Sequence, residues 1–154
     1  MATLFFDSSG LVKRYVGETG TAWVQALNDP QAGHNRVIAE ITGVEMTAAV
    51  SRRLRRGDTT AADAAAAISD IEADFTDDYF LLETSQARIR EAMTLTQTHG
   101  LRGYDAVQLA TALFLRDQCR VLGQPDPIVI TSDVELAAAA IAEGLAVDDP
   151  NAHS

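Results

Sequence analysis

A parallel α/β domain is the fold this sequence predicts, on three observations. Short apolar stretches without strict polar alternation recur along the chain: Thr3-Leu4-Phe5-Phe6, Arg36-Val37-Ile38-Ala39, Tyr79-Phe80-Leu81-Leu82 and Ile128-Val129-Ile130-Thr131. Longer segments with helical periodicity and glycine stops lie between them. No repeat or linker divides the 154 residues, which suffice for one well-buried core. Strands covered on both faces read as apolar runs, and helices alternating with them supply the cover. The expectation is a sheet of four or five parallel strands flanked by helices on both faces, with residues 1–148 as the domain and 149–154 as a loose tail.

Each element has its own signal. Thr3 to Phe6 is β-compatible and ends in the polar turn Asp7-Ser8-Ser9-Gly10, which can cap a helix over Leu11 to Val16. A second short run holds Trp23, Val24 and Leu27 and is closed by Asn28-Asp29-Pro30. After the strand at Arg36 comes a helix from Ile41 to Arg56, stopped by Gly57. Thr59-Thr60 caps a helix from Ala61 to Phe75, whose alanines are strong helix formers. Ser85 opens a helix to His99, ended by Gly100, and another begins around Asp105. Ser132 and Glu135 have capping-box spacing at the head of a helix through Ile141; Gly144 ends it, and Ala146-Val147 reads as a short last strand.

Composition excludes several classes. Hydrophobic residues make up 47% and charged residues 22% of the chain, as in ordinary globular domains. The single Cys119 permits no internal disulfide, and no stretch is long enough to span a bilayer. The first residues have no basic, signal-like pattern, so a cytoplasmic location is expected. With 12 basic against 22 acidic residues the net charge is −10, which opposes indiscriminate polyanion binding and favours a basic protein partner.

Four acids stand out. In open α/β sheets function gathers outside the carboxyl ends of strands, and Asp7 and Asp133 follow two of them. Each also reads as a local helix-end acid: Asp7 as a cap, Asp133 in the first turn after a Ser132 cap. Glu45 falls inside the apolar face expected from Ile41, Val44, Ala48 and Ala49, where a glutamate needs a partner. Asp105 lies over the stripe continued by Leu109 and Ala112, and with Gln108 it has capping-box spacing. Carboxylates gathered at one rim repel unless a cation intervenes, and a hard cation such as Mg²⁺ or Mn²⁺ suits an all-oxygen site. His34, His99 and His153 show no zinc-ligand spacing, and there is no glycine-rich phosphate loop or serine-hydrolase elbow.

Asp7-Ser8-Ser9 after the first strand, Glu45 ahead of Ala48-Ala49 and Arg52-Arg53, Leu101 to Ala110 with Asp105, and Thr131-Ser132-Asp133 resemble the PIN-domain nucleases. Within them the likeness is to the VapC-type toxins of bacterial toxin-antitoxin pairs, in order and over nearly the whole chain. The resemblance implies a Mg²⁺- or Mn²⁺-dependent ribonuclease with Asp7, Glu45, Asp105 and Asp133 as both catalytic and metal-binding residues. It implies Thr131 or Ser132 in support, an antitoxin protein as partner, and a homodimer. Ser8 and Ser9 read as caps rather than nucleophiles, having no histidine nearby in sequence.

Arg52 and Arg56 continue along the helix beyond Glu45 and read either as an RNA-phosphate strip or as a solvated helix end favouring the dipole. Trp23 and Leu27, one turn apart, read as core or as an exposed apolar pair that seeds an interface. A phospho-acceptor signalling domain would want a late lysine, whereas the only one is Lys13; a haloacid-dehalogenase-type phosphatase would want Asp-x-Asp where Asp7-Ser8-Ser9 stands. The remaining rival is a non-catalytic module that binds metal and protein.

Overall fold

The structure, a computed structural model, describes residues 1–154. Five strands form one parallel sheet: β1 (Thr3–Phe6), β2 (Asn35–Ala39), β3 (Phe80–Leu82), β4 (Ile128–Ile130) and β5 (Ala146–Asp148), in the order β3-β2-β1-β4-β5. Seven α-helices connect and cover them: α1 (Ser8–Leu11), α2 (Thr21–Leu27), α3 (Ile41–Arg56), α4 (Ala61–Asp77), α5 (Gln86–His99), α6 (Gly103–Val121) and α7 (Val134–Ala142). No helix is long and apolar enough to cross a membrane.

The period of two along each strand builds a separate core on each face. Leu4, Phe6, Ile38 and Ile130 point into the layer with α1 to α4, against Met46, Val50 and Ile71. Phe5, Val37, Ala39 and Val129 point the other way, onto α5, α6 and α7 through Leu95, Leu109 and Leu136. Both faces are therefore covered, as the apolar strand runs require. The chain builds outward from β1 through β2 to β3, then crosses back to add β4 on the other side of β1. That reversal opens a crevice beyond the carboxyl ends of β1 and β4.

Several local expectations are corrected. The first helix begins at Ser8, because Asp7 caps it by accepting from Gly10 N; it is followed by a 3-10 turn over Val12–Arg14 instead of continuing to Val16. On α3 the buried stripe is Thr42, Met46 and Val50, while Val44 is 67% exposed. Glu45 therefore sits on the flank of that stripe, half-buried, rather than inside it. The head of α7 is capped by Asp133, which accepts from Leu136 N at 2.8 Å. Ser132 turns away, its hydroxyl donating to Ser9 O, so the Ser132–Glu135 capping box does not form.

The last residues are docked, not loose. Pro150–Ala152 form a 3-10 turn against Gly20, whose φ of +87° and lack of a side chain admit it; a Cβ there would lie 2.4 Å from the Pro150 carbonyl oxygen. Lys13 Nζ donates to Asn151 Oδ1 at 2.9 Å, and His153 stacks on Trp23 with ring centroids 3.9 Å apart. Trp23 and Leu27 are partly buried against the core, so they offer no free apolar pair. A flat indole beside a glycine gap is what gives this segment its seat.

Candidate active site

The crevice at the β1–β4 reversal is built from two strand-to-helix turns stitched together. Gly10 lets the first turn press onto the second: a Cβ there would lie 2.5 Å from the Ile130 carbonyl oxygen. Ser9 supplies the stitch. Its Oγ donates to Asp7, with both carboxylate oxygens at 2.9 Å, and accepts from Ser132 N at 3.1 Å. It also lies 3.2 Å from Thr131 Oγ1, a contact in which either hydroxyl can donate. Thr131 Oγ1 in turn accepts from Asp133 N at 3.1 Å. The two acids that follow β1 and β4 are thus linked through two hydroxyls.

Asp7 is 2% exposed. Burial drives its pKa from the ordinary 3.8 up to about 7, against the hydrogen bonds from Gly10, Ser9 and Thr131, with Glu45 adding repulsion. Asp105, in the first turn of α6, is pushed up to about 6, first by burial and then by the charges of Asp133 and Glu45, with Arg102 opposing. Glu45 is thus near enough to repel both Asp7 and Asp105, and Asp133 near enough to repel Asp105. None of them enters an ion pair. No three Asp, Glu, His or Cys side chains are drawn close enough to form a ready cation cage.

Asp105 and Gln108 do not form the expected capping box. Helix α6 starts earlier, at Gly103, with Arg102 as its N-cap, and Gln108 faces across to α3. Its Nε2 donates to Glu45 Oε1 and to Thr42 Oγ1, both at 2.7 Å, while Ser8 Oγ donates to Glu45 Oε2 at 3.3 Å. Gln108 is 1% exposed and its Oε1 has no donor. A buried acceptor left unpaired costs about 1–3 kcal/mol. Sequence pairs Gln108 with Asp105 and reads Ser9 as a cap; it does not signal the contact of Gln108 with Glu45 or of Ser9 with Thr131. These two contacts span 63 and 122 residues respectively, and no local spacing signals them.

Beside the acids lies an open groove of about 440 Å³ lined by Ser8, Ser9, Glu45, Ala48, Arg52 and Tyr104 among others. Arg52 is exposed there and enters no ion pair. Arg56 does not share this position, since its guanidinium turns to Asp58 at 3.1 Å. Arg53 is engaged by Glu18. A second groove, of about 450 Å³, adjoins through Ile41 and Tyr104 and is lined mainly by Ile89, Met93, Val107 and other apolar groups.

Fold and site together define a five-stranded parallel α/β domain with an acidic crevice at its topological reversal. No family model matches the chain. Ribonuclease VapC45 and Ribonuclease VapC49, from the CDC 1551 / Oshkosh and H37Rv strains of Mycobacterium tuberculosis, are each 32% identical to it over 148 residues, 96% of this chain and 95% of theirs. The chain belongs to the VapC ribonuclease family. Solved structures of similar fold include PAE2754 from Pyrobaculum aerophilum, with a TM-score of 0.62 and 21% identity over 99% of this chain and 94% of that one. A toxin-antitoxin complex from Klebsiella pneumoniae matches with a TM-score of 0.60 and 16% identity over 96% and 97%. FitAcB from Neisseria gonorrhoeae matches with a TM-score of 0.62 and 17% identity over 98% and 99%.

Proposed function

We propose that this protein is a PIN-type, metal-dependent endoribonuclease and the toxin half of a toxin-antitoxin pair. The observation that carries the reading is the rim of Asp7, Glu45, Asp105 and Asp133, four carboxylates at the β1–β4 reversal without a cationic partner. The names of its ribonuclease relatives agree with it. The donor set is all oxygen and unbalanced in charge, which fits Mg²⁺ or Mn²⁺ and not zinc. When bound, such a cation lowers the pKa of water and stabilises the leaving oxygen of a phosphodiester.

The chain's own residues have distinct work in this reading. The four acids would hold the cation, drawing closer as it neutralises their charge. Ser9 and Thr131 keep Asp7 and Asp133 in fixed relation, and Ser132 pins the second turn to the first. Arg52 lies along the groove beside Glu45, where it meets an RNA phosphate; Arg56 has at most an outlying role. No side-chain nucleophile is required.

An antitoxin segment with apolar and basic residues suits the same region, its apolar side chains in the groove of Ile89, Met93 and Tyr104 and its cation among the acids. A homodimer is the assembly expected of this family, and the cytoplasm its location. The test is cleavage of a mixed RNA pool by the purified chain in Mn²⁺, in Mg²⁺ and in EDTA, with Asp7→Asn as control. Metal-dependent cleavage lost in the variant is expected; cleavage unaffected by EDTA overturns the metal dependence, and no cleavage at all leaves a binding module. Co-purification from the native cell and light scattering test the partner and the dimer.

A further inference from the structure

Gln108 is held in an arrangement that costs the fold something and serves two side chains of α3, Glu45 and Thr42. Both amide protons point at α3, to Glu45 Oε1 and Thr42 Oγ1, and the carbonyl oxygen is buried without a donor. Turning the amide over would set oxygen against the Glu45 carboxylate and strand two protons, so the orientation is fixed. The side chain lies one turn beyond Asp105 on α6, and one buried amide therefore ties the helix carrying Asp105 to the carboxylate carried by α3. Ser8 holds the opposite oxygen of Glu45 at 3.3 Å, which leaves that carboxylate clamped from two elements.

We propose that Gln108 is a positioning residue: with Thr42 as its second anchor, it sets the orientation in which Glu45 meets the cation. This rests on the metal-dependent reading of the rim. A leucine at this position keeps bulk and helix propensity, discards the unpaired carbonyl, and removes both donors. A residue that only packs would be improved by that exchange. A residue that positions Glu45 would be damaged in metal affinity while the fold is kept.

The experiment compares the parent, Gln108→Leu and Thr42→Val by Mn²⁺ titration, followed calorimetrically and by melting temperature, and by RNA cleavage across Mn²⁺ concentrations. Expected for Gln108→Leu is a folded protein whose melting temperature in EDTA stays close to the parent's, the relief of the unpaired carbonyl offsetting the donor lost to Thr42 and Glu45. Mn²⁺ affinity falls about 10- to 100-fold, and cleavage is partly restored by raising Mn²⁺ without a change in KM for RNA. Thr42→Val, which removes only the second anchor, shows a smaller loss in the same direction and decides the matter if the leucine variant does not fold. A parent that binds Mn²⁺ and cuts RNA while both variants match it overturns this proposal alone. A parent that does neither overturns the metal reading, and this proposal with it.

Discussion

Asp7 bears the sharpest conflict in the crevice, being buried, bonded by a backbone amide and two hydroxyls, and yet raised to about 7. An acid with a raised folded pKa binds more protons folded than unfolded, so its contribution to stability falls as pH rises from about 4 to 7. Asp7→Asn should therefore stabilise the metal-free protein by about 1–3 kcal/mol at pH 8 and by almost nothing at pH 4. Urea midpoints in EDTA at the two pH values check this; equal gains at both would show that charge is not the cause. The same substitution should abolish cleavage. Ser9→Ala strands Ser132 N and loosens Asp7 from Thr131, for an expected loss of about 1–2 kcal/mol and at least 10-fold in kcat at saturating Mn²⁺. Unchanged kcat would show that the stitch is not needed for the chemistry.

At the scale of elements, the close approach of two turns is the controlling feature. Gly10→Ala drives a methyl group into the Ile130 carbonyl and should cost about 1–3 kcal/mol, read as a lowered denaturation midpoint, with Asp7 and Asp133 driven apart. Helix α3 tests the substrate side. Arg52→Ala should weaken RNA binding and reduce its salt dependence by about one ion, while Arg56→Ala, already paired with Asp58, should do neither. Equal effects from the two would assign Arg52 to the solvated helix end.

Helix α3 also shows what sequence could tell. Its limits, Ile41 to Arg56, follow from the glycine stop, and the acids after β1 and β4 follow from strand runs ending in polar turns. Its buried stripe did not: Thr42 has no apolar signature, and Val44 looks like core but faces out. Both capping boxes failed for one reason. An acid or hydroxyl with an amide or carboxylate three residues on satisfies the local pattern, but Gln108 meets Glu45 across the interior and Ser132 meets Ser9. Such partners are set by the packing of distant segments, which no spacing rule contains.

For the whole molecule, opposed groups shape the response to pH. Arg14 and Arg36 clamp Asp78 and hold its pKa down, although burial pulls it up, so this contribution is lost as pH falls. Asp7 and Asp105 act in the reverse sense, as pH rises through about 6 to 7. Metal-free stability should peak at about pH 4, where the Asp78 contribution is in place and the Asp7 and Asp105 losses begin, and Mn²⁺ at 100 times its Kd should add about 2.7 kcal/mol, or roughly 5–10 °C in Tm. A melt indifferent to Mn²⁺ would count against the shared rim.

The pairing of β1 with β4 has a consequence for how this protein comes into being. Leu4 lies beside Ile128 in the sheet, so the crevice joins segments made early and late in synthesis. Chain entropy delays such non-local pairing, and a ribosome-bound chain can complete the β2-β1 pair long before β4 exists. Until residues 128–133 have emerged, Asp7 has no Ile130 carbonyl against its turn and no Asp133 opposite it. The crevice is therefore assembled last: both of its turns exist together only once β4 has joined β1, so its completion reports the closure of the whole sheet.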